Sequence, residues 1–246
     1  MKAFVAVALV LLAGGCGSSG PDPAPAASSA KPLCAGAAVT DVIVPTPAGA
    51  RLTGYVIGTG GTGIVLAAQA RSDACSWLTQ AKALAARGYR VLAVNYSGEG
   101  GSTYVAGSMA PSGDVAAGAA YLRGAGATRI VLIGASRGGT AALVAAARDP
   151  ALATAVISLS APGYYDGENA LDAAPNLRLP VLYAAATGDG TFADTAKGLH
   201  DATPDSRRRL VTVSGVAHGQ ALLDAADGTP LKVAVSEFLA AHAPPV

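Results

Sequence analysis

Charge of either sign is scarce in this sequence, and the two signs nearly cancel. Only 13% of the 246 residues are charged, and 17 basic against 16 acidic side chains give a formal net charge of +1. Proteins that bind nucleic acids concentrate positive charge, and no basic stripe interleaved with aromatics occurs along this chain. We therefore predict no nucleic-acid partner. The 51% hydrophobic content is sufficient for one buried core.

Long apolar runs are also absent, which excludes a multi-span transporter or channel. The apolar segment over residues 3–13 is too short to cross a bilayer, because a spanning helix takes about 20 apolar residues. With Lys2 before it and two glycines after it, the segment predicts a signal peptide over residues 1–15.

The end of that segment resembles a bacterial lipoprotein signal. Residues 11–16 read Leu-Leu-Ala-Gly-Gly-Cys, similar to a lipobox, whose cysteine becomes the acylated first residue of the mature chain. The resemblance implies a lipid on Cys16 and a place on the extracytoplasmic face of the cell membrane. Residues 16–38 would form a flexible linker, since Ser, Pro, Ala and Gly dominate residues 18–31. The alternative is an ordinary secretory signal and a secreted protein.

Cysteine is rare, and the three residues present exclude a disulfide scaffold. Together with the three histidines they form no spacing typical of a structural zinc site, so we expect no metal. In an exported protein with Cys16 acylated, Cys34 and Cys75 would remain in an oxidising compartment and would pair. Two buried free thiols are the alternative.

From residue 39 onward the sequence predicts strands and then an alternation of strands and helices. Apolar runs separated by Gly and Pro predict strands over 39–44, 51–57, 64–68, 90–94, 129–133, 155–159, 181–186 and 210–213. Helical spacing predicts helices over 77–85, 114–123, 140–148, 192–200 and 231–241. This order predicts one α/β domain, 39–246, with a mostly parallel doubly wound sheet and an antiparallel start. The short connection 160–179 predicts no large cap domain.

One glycine-rich segment has a misleading spacing. Residues 58–63 read Gly-Thr-Gly-Gly-Thr-Gly, which matches a dinucleotide-binding fingerprint. That fingerprint works only where its last glycine opens a helix, and here a predicted strand follows. We therefore predict a hairpin between two strands and no nucleotide.

A second glycine-rich segment carries the predicted chemistry. Residues 134–138 read Gly-Ala-Ser-Arg-Gly, a G-x-S-x-G pattern, and they lie between the predicted strand 129–133 and the predicted helix 140–148. Ser136 then occupies the sharp turn, where the flanking glycines avoid collisions and the helix amides favour a developing oxyanion. A serine that only caps the helix is the alternative.

A serine nucleophile needs a base, and His218 is the candidate, with a plain surface loop histidine as the alternative reading. It follows the predicted strand 210–213 at the same edge of the sheet, whereas His200 ends a helix and His242 lies near the chain end. The imidazole needs an acid to orient it. Asp189, directly after the strand 181–186, is preferred; Asp194 is the second candidate, and a plain turn aspartate is the alternative reading of Asp189.

The order Ser136, Asp189, His218, each after a successive strand, resembles the α/β-hydrolase superfamily, in particular small serine hydrolases similar to dienelactone hydrolase. The likeness covers about residues 39–241. It implies an α/β-hydrolase fold and hydrolysis of a small carboxylic ester through an acyl-enzyme, without a cofactor.

The resemblance also implies an oxyanion hole made by backbone amides. The amide of Arg137 is the first donor, because it follows from the turn itself. The second comes from the loop after residue 68, where the choice between Gln69 and Ala70 stays open. The Arg137 side chain either attracts an anionic substrate or pairs with a carboxylate.

Three other functions share these features. A peptidase or a thioesterase would use the same machinery. A lipoprotein could also keep the fold for binding without turnover, because a fold does not fix a function. The oligomeric state does not follow from the sequence.

Overall fold

The computed structural model describes Met1, residues 33–106 and residues 110–246. The predicted signal peptide, Cys16 and most of the predicted linker lie outside the described residues. No helix within the described ranges is both long and apolar enough to cross a membrane.

An eight-stranded sheet runs through the domain. Its strands are β1 (Thr40–Pro45), β2 (Arg51–Ile57), β3 (Thr62–Ala67), β4 (Arg90–Val94), β5 (Arg129–Ala135), β6 (Ala155–Leu159), β9 (Val181–Ala186) and β10 (Arg208–Val213). Their order across the sheet is β1-β2-β4-β3-β5-β6-β9-β10. Strand β2 is antiparallel to both its neighbours, and all other neighbouring pairs are parallel. A separate hairpin pairs β7 (Tyr164–Tyr165) with β8 (Glu168–Asn169). The predicted α/β-hydrolase architecture is confirmed.

The helices cover both faces of this sheet. They are α1 (Leu78–Ala86), α2 (Pro111–Gly124), α3 (Arg137–Arg148), α4 (Ala170–Ala173), α5 (Phe192–Ala202), α6 (Ala221–Asp224) and α7 (Thr229–His242). Neighbouring residues of β3 face opposite ways: Val65 meets Gly118 of α2, while Leu66 lines a cleft with Leu84 of α1 and Val235 of α7. A strand covered on both faces is largely apolar, and every residue of β3 is buried.

The predicted hairpin at residues 58–63 is wrong. Strands β2 and β3 do not pair with each other, because β4 lies between them and pairs with both. The apolar run of β4 is buried on both faces only in that interior position, so the glycine-rich segment links two strands that are not neighbours. The antiparallel start is therefore confined to β1, β2 and the β2–β4 pair.

The predicted disulfide between Cys34 and Cys75 is present. The two Cα atoms are 5.5 Å apart, and the cysteines are separated by 41 positions in the chain. Cys34 is buried, and Cys75 lies just before α1 in the loop that follows β3. The bridge therefore fastens the segment just before β1 to the segment between β3 and α1, at the carboxyl ends of the strands.

Candidate active site

Ser136 occupies a strained turn between β5 and α3. Its φ of 48° and ψ of −119° lie in a region of backbone conformation that is unfavourable for residues other than glycine. A Cβ on Gly134 would lie 2.1 Å from the Gly138 oxygen, and a Cβ on Gly138 would lie 2.2 Å from the Ala67 oxygen. Both positions therefore require glycine, and the predicted strand–turn–helix around Ser136 is confirmed.

The Ser136 hydroxyl is presented at the edge of the sheet without a partner. The Ser136 amide donates to the Leu159 oxygen at 2.8 Å, which fixes the turn to β6. Ser136 is 8% exposed, and its Oγ makes no hydrogen bond to any residue in the described part of the chain. The hydroxyl is thus held in place by the backbone alone.

His218 and Asp189 form a hydrogen-bonded pair at the same edge. His218 follows β10 and Asp189 follows β9, and Nδ1 of His218 lies 3.0 Å from each carboxylate oxygen of Asp189. Asp189 is 8% exposed. The ring of Phe192 packs on the imidazole with a centroid distance of 4.3 Å. With Nδ1 engaged, Nε2 is the ring nitrogen that can act on a serine.

The other acid and the other histidines take no part in this hydrogen-bonded pair. Asp194 is an exposed residue of α5, and no hydrogen bond or ion pair joins it to His218. His200 bonds to Asp201 at 2.9 Å, and His242 packs on Phe238 with a centroid distance of 4.7 Å. Of the alternatives left open by the sequence, the structure places Asp189 and His218 together.

The loop that carries His218 packs against the serine turn. A Cβ on Gly219 would lie 3.3 Å from the Cβ of Ala135, the residue before Ser136. The amide of Gln220 donates to Oε1 of Gln69 at 3.3 Å. The residue that follows His218 therefore lies against the residue that precedes Ser136, and all three predicted residues follow strands at the same edge of the sheet.

Backbone amides without acceptors lie beside this turn. The amides of Arg137, Gln69 and Ala70 donate to no acceptor in the described ranges. Gly138 approaches the carbonyls of Ala67 and Ala68, so the loop after β3 lies against the start of α3. All three amides remain candidate oxyanion donors, and the choice between Gln69 and Ala70 stays open.

The Arg137 side chain pairs with a carboxylate, one of the two roles expected for it. Its two terminal nitrogens each donate to a Glu99 oxygen at 2.7 Å, and the guanidinium lies 4.2 Å above the Tyr96 ring centre. Burial, the largest single effect, lowers the pKa of Arg137, but the hydrogen bond to Glu99 and the charges of Tyr96, Glu99 and Tyr165 together raise it by more. The guanidinium is therefore a charged, engaged group.

A polar cavity of about 270 Å³ adjoins this ion pair. Asp114 and Asp166 line it together with Arg137 and Glu99. Burial raises the pKa of Asp114, although the amide and hydroxyl of Ser97 donate to it at 2.7 and 2.9 Å and oppose the rise. Sequence reasoning missed these carboxylates, because they come from loops and helices far apart in the chain.

Sequence reasoning also missed Ser160. Its Oγ donates to Oδ2 of Asp189 at 2.7 Å, and Ser160 is fully buried with a φ of 48°. A signal was available, because Ser160 directly follows β6, as Ser136 follows β5.

In the described ranges, no cluster of three or more His, Cys, Asp or Glu side chains could hold a metal ion.

Comparison with known families agrees with this geometry. A family model described as the alpha/beta hydrolase fold matches residues 59–177. That range includes the serine turn and Ser160, and it ends before Asp189 and His218. No curated protein sequence matches the chain.

Solved structures with a similar fold include two esterases and a peptidase. An esterase from Pyrococcus furiosus aligns with a TM-score of 0.68 and 17% identity over 83% of this chain and 90% of that chain. A thermophilic esterase from Thermogutta terrifontis has a TM-score of 0.66 and 17% identity, over 81% and 98%. Dipeptidyl peptidase 4 from Porphyromonas gingivalis has a TM-score of 0.66 and 16% identity, over 83% of this chain and 35% of that chain. At these identities the likeness establishes the fold.

Proposed function

The chain is an α/β hydrolase by fold, and we propose that it is a serine hydrolase that cleaves carboxylic esters. Ser136 is the proposed nucleophile, His218 the general base and acid, and Asp189 the group that orients the imidazole. The observation that supports this most directly is the hydrogen bond between Nδ1 of His218 and the Asp189 carboxylate, at the same edge of the sheet as a strained turn whose serine hydroxyl has no partner among the described residues.

The first half of the proposed reaction forms an acyl-enzyme. Nε2 of His218 takes the proton from the Ser136 hydroxyl as Oγ attacks the ester carbonyl carbon. The carbonyl oxygen gains negative charge, which the Arg137 amide and an amide of Gln69 or Ala70 would stabilise. His218 then returns its proton to the departing alkoxide as the carbon–oxygen bond breaks.

The second half repeats these steps with water. His218 takes a proton from a water molecule, and the resulting hydroxide attacks the acyl carbon. The bond to Ser136 Oγ breaks, and the serine recovers its proton from the imidazolium. Asp189 stays ionised throughout and stabilises the imidazolium by its charge and by its hydrogen bond.

Hydrolysis of a short p-nitrophenyl ester by the purified protein tests the proposal. Ser136→Ala should lower kcat by about 10⁴-fold or more, because the acyl-enzyme can no longer form. His218→Ala should have an effect of similar size, whereas His200→Ala, on α5 beside Asp201, serves as the matched control and should retain the parent rate.

A Ser136→Ala variant that is folded by circular dichroism and still turns over the ester at the parent rate would refute the proposal. Full activity of the His218→Ala variant would refute the assigned base. Each variant is compared at equal folded concentration, so that a loss of folding is not counted as a loss of chemistry.

We further propose that Cys16 anchors this enzyme to the extracytoplasmic face of the cell membrane. The lipobox-like sequence at residues 11–16 supports this. Cys16→Ala should move the protein from the membrane fraction to the soluble fraction, with the ester activity per molecule unchanged. A membrane fraction that keeps the variant as fully as the parent would contradict the anchor.

A further inference from the structure

Ser160 lies between the turns that carry Ser136 and Asp189. It directly follows β6, the strand between β5 and β9. The Ser160 amide donates to the Ala184 oxygen on β9 at 2.7 Å, and the preceding carbonyl, of Leu159, accepts the Ser136 amide at 2.8 Å. One short backbone segment is therefore bonded both to the serine turn and to the strand that leads to the acid.

We propose that Ser160 is a positioning residue that holds the Asp189 carboxylate in the orientation that engages His218. This inference rests on the proposed function. Oγ of Ser160 donates to Oδ2 of Asp189 at 2.7 Å, while Nδ1 of His218 lies 3.0 Å from both oxygens of the same carboxylate. A carboxylate bonded by donors on two sides cannot rotate freely, and the imidazole that depends on it keeps its orientation.

The backbone of Ser160 supports a role for its side chain. Its φ of 48° lies in the left-handed region, where glycine is the least strained residue. Such a conformation persists in another residue only where the surrounding structure imposes it. Glycine would satisfy the backbone at this position, but it could not supply the hydroxyl that Asp189 accepts.

Burial makes this single hydroxyl hard to replace. Ser160 is 0% exposed and Asp189 is 8% exposed. A buried carboxylate needs donors from the protein, because it has lost those of bulk water, and hydrogen bonds to charged groups are among the strong ones. Without the Ser160 hydroxyl, the carboxylate is held by His218 alone among the side chains of the described residues.

Kinetics of two Ser160 variants test the proposal. Ser160→Ala and Ser160→Gly both remove the hydroxyl, and glycine also suits the left-handed backbone. We expect kcat for a short p-nitrophenyl ester to fall by about tenfold or more in both variants. KM should stay within about twofold, because Ser160 does not touch the substrate.

Ser158→Ala is the matched control. Ser158 lies two positions earlier, on β6, and is 2% exposed, and its Oγ has no partner among the described residues. This variant should keep the parent kcat. A Ser160→Gly variant with the parent kcat would overturn the proposal, since the backbone is then unstrained and only the hydroxyl is missing.

Two further readouts separate positioning from a general structural effect. In an Asp189→Asn background, Ser160→Ala should change kcat by less than about twofold, because the group it positions is already gone. In proton NMR, the deshielded Nδ1 proton of His218 should appear in the parent and in Ser158→Ala, and should shift or vanish in Ser160→Gly. An unchanged resonance in Ser160→Gly would overturn the proposal.

The NMR measurement needs no turnover, so it tests Ser160 even if the proposed function fails. Full activity of Ser136→Ala would refute the hydrolase mechanism alone. Loss of activity in Ser136→Ala, combined with Ser160→Gly behaving like the parent in rate and spectrum, would refute only the role of Ser160.

Discussion

Two glycine-rich turns of this protein look alike in sequence but do different things. The segment 134–138 lies at the carboxyl ends of the parallel strands, and the segment 58–63 lies at their amino ends. Both are needed for close backbone contacts, since a Cβ would lie 2.1 Å from an oxygen at Gly134 and 1.8 Å from one at Gly60. The glycines therefore indicate tight packing in both turns. By themselves they do not indicate a catalytic site in either turn.

The turns differ in what is left unpaired. At residues 58–63, the Gly61 amide donates to the carbonyl of Val246, and the Gly61 oxygen accepts the Thr128 amide at 2.8 Å. At the other turn, the Ser136 hydroxyl and the Arg137 amide have no partners within the described part of the chain. The polar groups of the turn at 58–63 form hydrogen bonds within the fold. Those of the turn at 134–138 stay available to the substrate of the proposed reaction.

The largest expected effect comes from Asp189, at the carboxyl ends of the strands. Asp189→Asn should lower kcat for a short ester by about 10⁴-fold, because the amide favours the wrong imidazole tautomer. Asp194→Asn, five positions later on the exposed face of α5, should leave kcat unchanged. Steady-state kinetics measure kcat for both variants, and an equal loss of kcat in the two would contradict the account.

Removal of the disulfide tests whether the loops at the carboxyl ends of the strands depend on this covalent link. Replacing Cys34 and Cys75 with Ser should lower the free energy of unfolding by about 3–4 kcal/mol, since the bridge closes a loop of 41 positions. The ester activity per folded molecule should not change. Urea unfolding and kinetics measure the two quantities separately, and a large fall in kcat would show that the loop after β3 needs the bridge to stay in place.

Alanine at each glycine turn tests the comparison directly. Gly60→Ala and Gly134→Ala should each cost about 3 kcal/mol of stability, because the added methyl meets backbone atoms. Only Gly134→Ala should also lower kcat per folded molecule, by about 100-fold, because it displaces Ser136. Equal kcat losses in the two variants would contradict the division between the turns.

The smallest effect concerns the ion pair beside the nucleophile. Glu99→Gln should cost about 1 kcal/mol, because the Glu99 side chain is 43% exposed and solvent screens the pair. Glu237→Gln, which breaks the surface pair with Arg209, is the matched control and should cost nothing measurable. Thermal unfolding gives the Tm of both variants. Equal shifts in Tm would mean that the Glu99–Arg137 pair stabilises the protein no more than the surface pair does.

Much of the fold could be predicted because its signals are local. The apolar runs of β5, β6 and β9 are bounded by turns, and their order along the chain fixes a parallel sheet. The short elements β7, β8, α4 and α6 were missed, because two to four residues carry no periodic signal. The false hairpin at residues 58–63 shows that strands adjacent in sequence are not always paired.

The candidate site was predictable only where strand order determined it. Ser136, Asp189 and His218 each follow a strand, and the topology brings such positions to one edge. The choice between Asp189 and Asp194 needed the structure, because both follow β9 within a few residues. Glu99 lies 38 positions from Arg137, and no local pattern connects them.

Labelling with a fluorophosphonate, followed by mass spectrometry of the modified peptide, tests the central claim most directly. The account predicts one label, on Ser136 of the native protein, with labelling slowed strongly in His218→Ala and unaffected in His200→Ala. No label on native protein, a label on another serine, or equal labelling of the His218→Ala variant would contradict a serine activated by this histidine.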